Sequence, residues 1–323
     1  MASTALNTPH SEHSASFVPS KSLISDYENF DAIKEIYSGF IDKLEYSTMS
    51  AISDDNETFQ ALLSEFASYN TGRWFEALCR ESSTIAELGY ANHSPAVRLQ
   101  AARFTWYLIY VDDLGQKFPS MLEGFQERLL TCKDPEGSFL QAFRAHLADM
   151  YKFWDPLPAN CITLAGIDFI NGCLLEQSPE ISEMRLSKAA TSWPYFLRNK
   201  TGSAAAYGFF LFPKELNVDM TTYIQVMEDI VFYTNLTNDI LSFYKEDIAG
   251  ERNNYIYNRA HVSHQSAIDA LRDTVKDTLD AHARITEVLK GTNAYASWKT
   301  WVNGYIGFHT TLKRYRLDDL GIA

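Results

Sequence analysis

Cysteine is scarce and shows no pairing pattern: Cys79, Cys132, Cys161 and Cys173 are the only four, and no C-x2-C unit occurs. All four sit within apolar helical patterns and read as buried thiols of a reducing compartment, which excludes a disulfide framework and a thiolate metal knot. No N-terminal apolar run suits a signal peptide, and no run of about 18 apolar residues suits a membrane span. The expected setting is cytoplasmic, without stable membrane insertion. Positive charge is also short, with Lys and Arg numbering 28 against 41 Asp and Glu and a formal net charge of −13. Such a field opposes nucleic acid and anionic membranes as partners. His261 and His264 stand three apart like a fragment of a zinc site, but no second ligand pair lies nearby, so they read as surface residues. Strand-like alternation is scarce throughout, which leaves helical periodicity as the organising signal.

Aromatic residues are abundant. Phe (20), Tyr (18) and Trp (6) make up 14% of the chain, more ring surface than helix packing alone requires, so some rings can line a pocket. Residues 1–25, rich in Ser, His, Thr and Ala, have no periodicity and are expected to form a flexible tail ahead of a single domain over 26–323. Phe30, Ile33, Tyr37, Phe40, Ile41 and Leu44 open the helical pattern. Further helices are expected over about 58–68, 73–89, 95–113, 119–132, 136–154, 160–176, 194–210, 219–246, 262–290 and 294–316. Ser94-Pro95 and Asp134-Pro135-Glu136 read as helix starts, and Gln177 to Pro194 as the longest internal loop. The fold class is all-α: one bundle of about ten or more helices.

Within this pattern Asn238, Ser242 and Glu246 recur at intervals of four in Asn-Asp-Ile-Leu-Ser-Phe-Tyr-Lys-Glu. At roughly 100° per residue they drift only about 80° around a helix while climbing about 12 Å, so they face one way. Amide carbonyl, hydroxyl and carboxylate are hard oxygen donors of the kind Mg²⁺ prefers, and Mg²⁺ commonly completes its octahedron with waters and phosphates. On spacing alone the string is equally an ordinary polar stripe. Ile230, Val231, Phe232, Ile240, Leu241 and Phe243 change that balance, because they bury most of the helix, and a polar stripe on a buried helix costs about 1–3 kcal/mol per unsatisfied group. A second set of oxygen ligands stands at Asp112-Asp113, closing an apolar helix that carries Phe104, Tyr107, Leu108 and Val111. Carboxylates at a helix C-terminus oppose its dipole and call for a compensating cation.

The order and composition of Asp112-Asp113, the Asn238–Glu246 string and Arg314-Tyr315-Arg316 resemble a class I terpene synthase. The motif and the C-terminal ending are most similar to the fungal trichodiene synthase family, from about residue 27 onward. That resemblance implies the class I terpenoid synthase α fold around a central apolar cavity. It implies that Asp112 belongs to the aspartate-rich metal motif, and that Asn238, Ser242 and Glu246 hold metal opposite it, with three Mg²⁺ ions in all. Lys245, Arg314 and Tyr315 correspond to diphosphate contacts, and Asp113 is expected to meet Arg314 when the site closes. Arg198 resembles the diphosphate sensor, with Arg185 as its rival, and Gly202 the effector position whose carbonyl helps trigger ionisation. Two departures stand out: Gln116 occupies the fifth position of the aspartate motif, where a further acid is common, and Phe308 stands where the family often places Trp.

The implied chemistry is leaving-group activation, in which Arg198, Lys245, Arg314 and metal neutralise a diphosphate as its allylic C–O bond breaks. A dry pocket would then fold the cation, with Tyr107, Leu108, Ile109, Trp301 and Phe308 as candidate lining. The leading expectation is a sesquiterpene synthase acting on farnesyl diphosphate; a longer C20 or C25 prenyl diphosphate, or a helical scaffold protein that lost activity, are the alternatives. A chain-elongating prenyltransferase would carry a second aspartate-rich motif in place of Asn238–Glu246, and cyclisation by protonation would need Asp-x-Asp-Asp, which does not occur. A homodimer is a mild expectation from the resemblance.

Overall fold

Apolar spacings of three and four become helices along the whole of the computed structural model, which describes residues 29–134 and 136–322. The expected tail over 1–25 lies outside the described residues. The main helices are α1 (Phe30–Lys43), α2 (Glu57–Glu65), α3 (Arg73–Gly89), α4 (Pro95–Leu114), α5 (Pro119–Leu130), α6 (Ser138–Phe153), α7 (Pro156–Gln177), α8 (Trp193–Thr201), α9 (Ala204–Phe210), α10 (Met227–Ala249), α11 (Tyr255–Ser263), α12 (Ala267–Leu289) and α13 (Ala294–Thr311). No strand occurs among the described residues. Helix α10 is central: it packs on α12 and α9, while α3 joins α13 to α4, and α7 lies against α8 and α9. Ile230, Tyr233, Leu236, Ile240, Leu241, Phe243 and Tyr244 of α10 are all fully buried.

Helices α3 and α13 touch backbone to backbone. A Cβ added to Gly304 would lie 2.0 Å from the Leu88 carbonyl oxygen and 2.7 Å from the Gly89 nitrogen. Only glycine permits that approach, and it brings the turn that follows α13 alongside α3.

Several expected boundaries move, each for a local reason. Ser94 caps α4 as anticipated, accepting from the Val97 N–H. Asp134 does not cap α6, which starts at Ser138 behind Gly137; its carboxylate pairs instead with Arg144 at 2.8 Å. Helix α7 begins at Pro156, earlier than 160, with proline in its first turn. The expected 194–210 helix breaks after Gly202, because Ser203 is left-handed (φ 49°). The expected 262–290 helix is two helices, separated at left-handed His264 (φ 57°) and restarted by Ser266, whose hydroxyl accepts from the Asp269 N–H at 3.1 Å. Short turns over Met220–Tyr223 and Ile224–Val226 precede α10, which runs on to Gly250. Helix α13 ends at Thr311, and Lys313–Tyr315 form a 3₁₀ turn that carries Arg314 off the helix axis.

The segment between α7 and α8 is irregular apart from Pro179–Ser182. His261 donates from Nε2 to the Leu186 carbonyl (2.9 Å) and His264 Nδ1 lies 3.2 Å from Lys188 Nζ, so these exposed histidines fasten that segment. The cysteines correct the reading of four buried thiols: Cys79 and Cys173 are buried, Cys161 is half-buried and Cys132 is exposed. Cys132 adopts the left-handed conformation (φ 55°) just past α5, where the chain turns away from the core. Helix α7 is long and apolar enough to cross a membrane, contrary to the expectation of no such run, and half of its apolar stretch is buried against neighbouring helices, as in a core helix.

One buried histidine makes the fold acid-sensitive. His146 packs beside Phe104 and Tyr107 with Nε2 lacking a hydrogen-bond partner, and burial lowers its pKa to about 3. Between about pH 6.5 and 3 the unfolded chain binds a proton that the native ring refuses, so stability falls as pH falls through this window, by about 1.4 kcal/mol per pH unit from this residue. Urea unfolding at pH 7 and pH 5 is expected to show a smaller acid loss for His146→Leu than for the parent. An equal loss would place the sensitivity elsewhere.

Candidate active site

The polar stripe of α10 opens onto a cavity of about 360 Å³. Its wall takes Asp112 from α4, Arg198 and Thr201 from α8, Asn238, Asp239, Ser242, Lys245 and Glu246 from α10, Tyr255 and Asn258 from α11, and Arg314 and Tyr315 from the 3₁₀ turn. Glu176, Glu251, Asn253 and Asn254 also border it. The fold therefore gathers the metal-ligand and diphosphate candidates of four distant segments into one recess. The rival Arg185 is exposed in the segment before α8, and Gln116 is exposed in the 3₁₀ turn Gly115–Lys117 after α4. Neither borders the cavity.

Arg198 is the hub. Its Nε donates to Asp239 at 2.8 Å, and its Nη2 donates to the Asn235 carbonyl at 3.2 Å and to Asn238 Oδ1 at 3.0 Å. Burial pushes the Asp239 carboxyl up to about 7 against the opposing pull of Arg198. Asp239 was not among the sequence candidates, yet a signal existed: Asp239, Ser242 and Glu246 recur at i, i+3 and i+7, the same helical face read with the other helical spacing. Asn238 donates from Nδ2 to His309 Nε2 at 3.1 Å, and His309 Nδ1 donates to the Tyr305 carbonyl at 2.7 Å. Glu246 accepts from Lys245 at 3.2 Å and from Asn254 at 3.1 Å. Gly202 closes α8 against α10: a Cβ there would meet Asn235 Oδ1 at 1.9 Å and Arg198 Nη1 at 2.7 Å.

Asp112 is open to solvent on one side but crowded by the recess on the other. Loss of hydration and the adjacent Asp113 raise its carboxyl above the usual range, with Arg314, Arg198 and Lys245 pulling the other way. Asp113 turns elsewhere, accepting from Trp74 Nε1 at 2.7 Å in a neighbouring hollow bordered by Thr71, Arg73, Leu114 and Lys117. Arg314 donates to Glu81 of α3. The expected Asp113–Arg314 contact is thus absent here, each partner being held by another residue. Glu81 carried no signal in the sequence, since only the close crossing of α3 and α13 brings it to Arg314.

The apolar candidates divide. Trp301 stacks on Tyr305 (4.6 Å, 15°) and lies 6.1 Å from Tyr207, and Phe308 continues this aromatic column to Tyr315 at 5.6 Å. Tyr107 lies in a different cluster, with Phe66 at 5.3 Å, Phe139 at 5.5 Å and Phe143 at 5.1 Å, where α2, α4 and α6 meet. Tyr107 is buried there, in a group of rings separate from the one that holds Trp301. Leu108 is buried and Ile109 half-buried. None of these five belongs to the wall of the polar cavity.

The trichodiene synthase (TRI5) family profile matches residues 44–321. The chain belongs to the trichodiene synthase family of terpene synthases. It is similar to terpene synthase BipA of Cochliobolus sativus, 36% identical over 237 residues that span 72% of this chain and 73% of the relative. It is similar also to longiborneol synthase of Gibberella zeae, 31% identical over 246 residues, 74% and 72% of the two chains. The crystal structure of linalool/nerolidol synthase from Streptomyces clavuligerus superposes with a TM-score of 0.61 over 82% of this chain and 99% of that one; at 13% identity it shares the all-α fold. In this terpene synthase no cluster of three His, Cys, Asp or Glu poised for a metal occurs among the described residues. The oxygen donors are of another kind, an amide carbonyl, a hydroxyl and carboxylates on opposite walls of one recess. That set suits a hard cation shared with phosphate oxygens.

Proposed function

We propose that this terpene synthase ionises a prenyl diphosphate, farnesyl diphosphate foremost, and cyclises the resulting carbocation to a hydrocarbon or alcohol. One observation carries the reading: Asp112, Asn238, Ser242 and Glu246 share a single recess with Arg198, Lys245, Arg314 and Tyr315. Carboxylates alone would repel a diphosphate, and cations alone would not need the oxygen ligands. Together they fit a diphosphate held with cations.

Asp112 on one wall and Asn238, Ser242 and Glu246 on the other would hold Mg²⁺, three ions in the proposed complement. Bound there, the metal supplies charge neutralisation for the leaving diphosphate. The chain's own cations do the rest. Arg198, Lys245 and Arg314 border the recess, where charge would grow as the allylic C–O bond stretches, and Tyr315 adds a hydroxyl. Arg314 is then released from Glu81 to reach the diphosphate and Asp113. Tyr207, Trp301, Tyr305 and Phe308 form a stacked aromatic column that reaches Tyr315 at the edge of the recess, and rings of this kind would stabilise a cation and exclude water.

The direct test is incubation of the purified protein with Mg²⁺ and allylic diphosphates of C10 to C25, followed by gas chromatography and mass spectrometry. A metal-dependent cyclic product from the C15 substrate is expected; no hydrocarbon or alcohol from any of them would end the cyclase reading. Gly202 provides a second test. Gly202→Ala must push either Asn235 or Arg198 aside, and a misplacement of about 1 Å at such a site can cost on the order of 10²-fold in rate. Turnover at saturating substrate should drop by that order, and a rate within threefold of the parent would mean that Asn235 yields and that Gly202 is not what sets Arg198.

A further inference from the structure

We propose that His309 is a positioning residue that decides which end of the Asn238 amide faces the cavity. The proposal rests on the reading of Asn238 as a metal ligand. The two ends of that amide differ in kind, since Oδ1 can ligate a cation and the Nδ2 amino group cannot. A helix and a rotamer bring the amide to the recess, but a rotation of 180° about its last bond would present the wrong end at almost no steric cost.

Hydrogen-bond polarity removes that ambiguity. The Tyr305 carbonyl can only accept, so His309 Nδ1, 2.7 Å away, carries the ring hydrogen. Nε2 of the neutral ring is then an acceptor, and the Asn238 group at 3.1 Å from it has to be the amino end. Arg198 Nη2, which can only donate, stands 3.0 Å from the other end and independently requires oxygen there. Tyr315, which also bonds to Asn238, can donate or accept and does not choose. His309 is fully buried and held between rings, 4.7 Å from Tyr305, 5.1 Å from Phe308 and 4.4 Å from Tyr315, so it cannot turn to accommodate a flipped amide. When a cation and diphosphate enter, Arg198 gives up Oδ1 to them. His309 then still holds the amino end, with the oxygen already aimed inward.

The experiment is calorimetric titration of inorganic diphosphate in the presence of Mg²⁺, on the full chain, for the parent, His309→Phe, His309→Gln, Asn238→Asp and the double variant Asn238→Asp with His309→Phe. Loss of an outer partner of a metal ligand typically weakens metal binding 10–100-fold, so His309→Phe should bind Mg²⁺-dependent diphosphate about 10-fold more weakly. His309→Gln, whose carbonyl can accept from the amide, should recover most of that loss. In the Asn238→Asp background His309→Phe should add less than twofold, because a carboxylate offers oxygen whichever way it turns. Binding by His309→Phe within twofold of the parent, or a full 10-fold loss in the aspartate background, would overturn the proposal, the latter assigning His309 to packing alone. If His309→Phe fails to fold, His309→Leu takes its place with the same expectations. A parent protein that binds no diphosphate in a Mg²⁺-dependent way would instead bring down the ligand reading of Asn238, and the proposal with it.

Discussion

Asn238→Ala is expected to lower prenyl diphosphate turnover by at least about 100-fold while the protein still folds. Loss of a mere outer partner typically costs 10–100-fold in metal affinity, so loss of a proposed ligand belongs at or beyond the top of that range. The structural cost is smaller. Alanine leaves His309 Nε2 without its partner, a penalty of about 1–3 kcal/mol for a buried group; Arg198 keeps Asp239 and the Asn235 carbonyl. Product formation by gas chromatography, set beside thermal unfolding by circular dichroism, separates the two effects. A near-normal rate would refute the metal assignment on α10, whereas a collapsed fold would leave Asn238→Asp, which retains the oxygen, as the informative variant.

Gly304→Ala is expected to give the largest loss of stability. Its Cβ would stand 2.0 Å from the oxygen and 2.3 Å from the carbonyl carbon of Leu88, both of them backbone atoms that cannot swing aside. The α3–α13 pair has to separate. Overpacking typically costs about 1–3 kcal/mol, and a backbone clash belongs at the upper end, which for a chain of this length corresponds to a drop in melting temperature of roughly 5 °C. Activity should fall with it, because the turn after α13 carries Arg314 and Tyr315 to the wall of the recess. Gly39→Ala is the control: Gly39 is an exposed residue of α1 with nothing within 4 Å of an added Cβ, and alanine there should stabilise by about 0.8–1 kcal/mol through helix propensity. Parent-like melting of Gly304→Ala would mean that the two helices have slack that this packing does not show.

The polar stripe of α10 was legible in the sequence because it is a local property of one helix. Residues four apart share a face whatever the rest of the chain does, and the apolar residues around Asn238, Ser242 and Glu246 announced a buried helix whose polar edge needed a partner. Asp112-Asp113 and Arg314-Tyr315 were legible only in that company, through resemblance. Helix existence followed from periodicity; boundaries such as Ser203 and His264 did not, because left-handed residues other than glycine carry little compositional signal.

By itself, then, the sequence determined the helical class and the oxygen-rich stripe, since each depends on residue type and short-range spacing. Tertiary structure alone decided that Arg314 rests on Glu81, that Asp113 rests on Trp74, that Tyr107 packs with Phe66, Phe139 and Phe143, and that His309 faces Asn238. These are contacts between helices, set by how closely two backbones approach and at what rotation. A periodic pattern specifies which side of a helix is apolar, but not which neighbour that side meets.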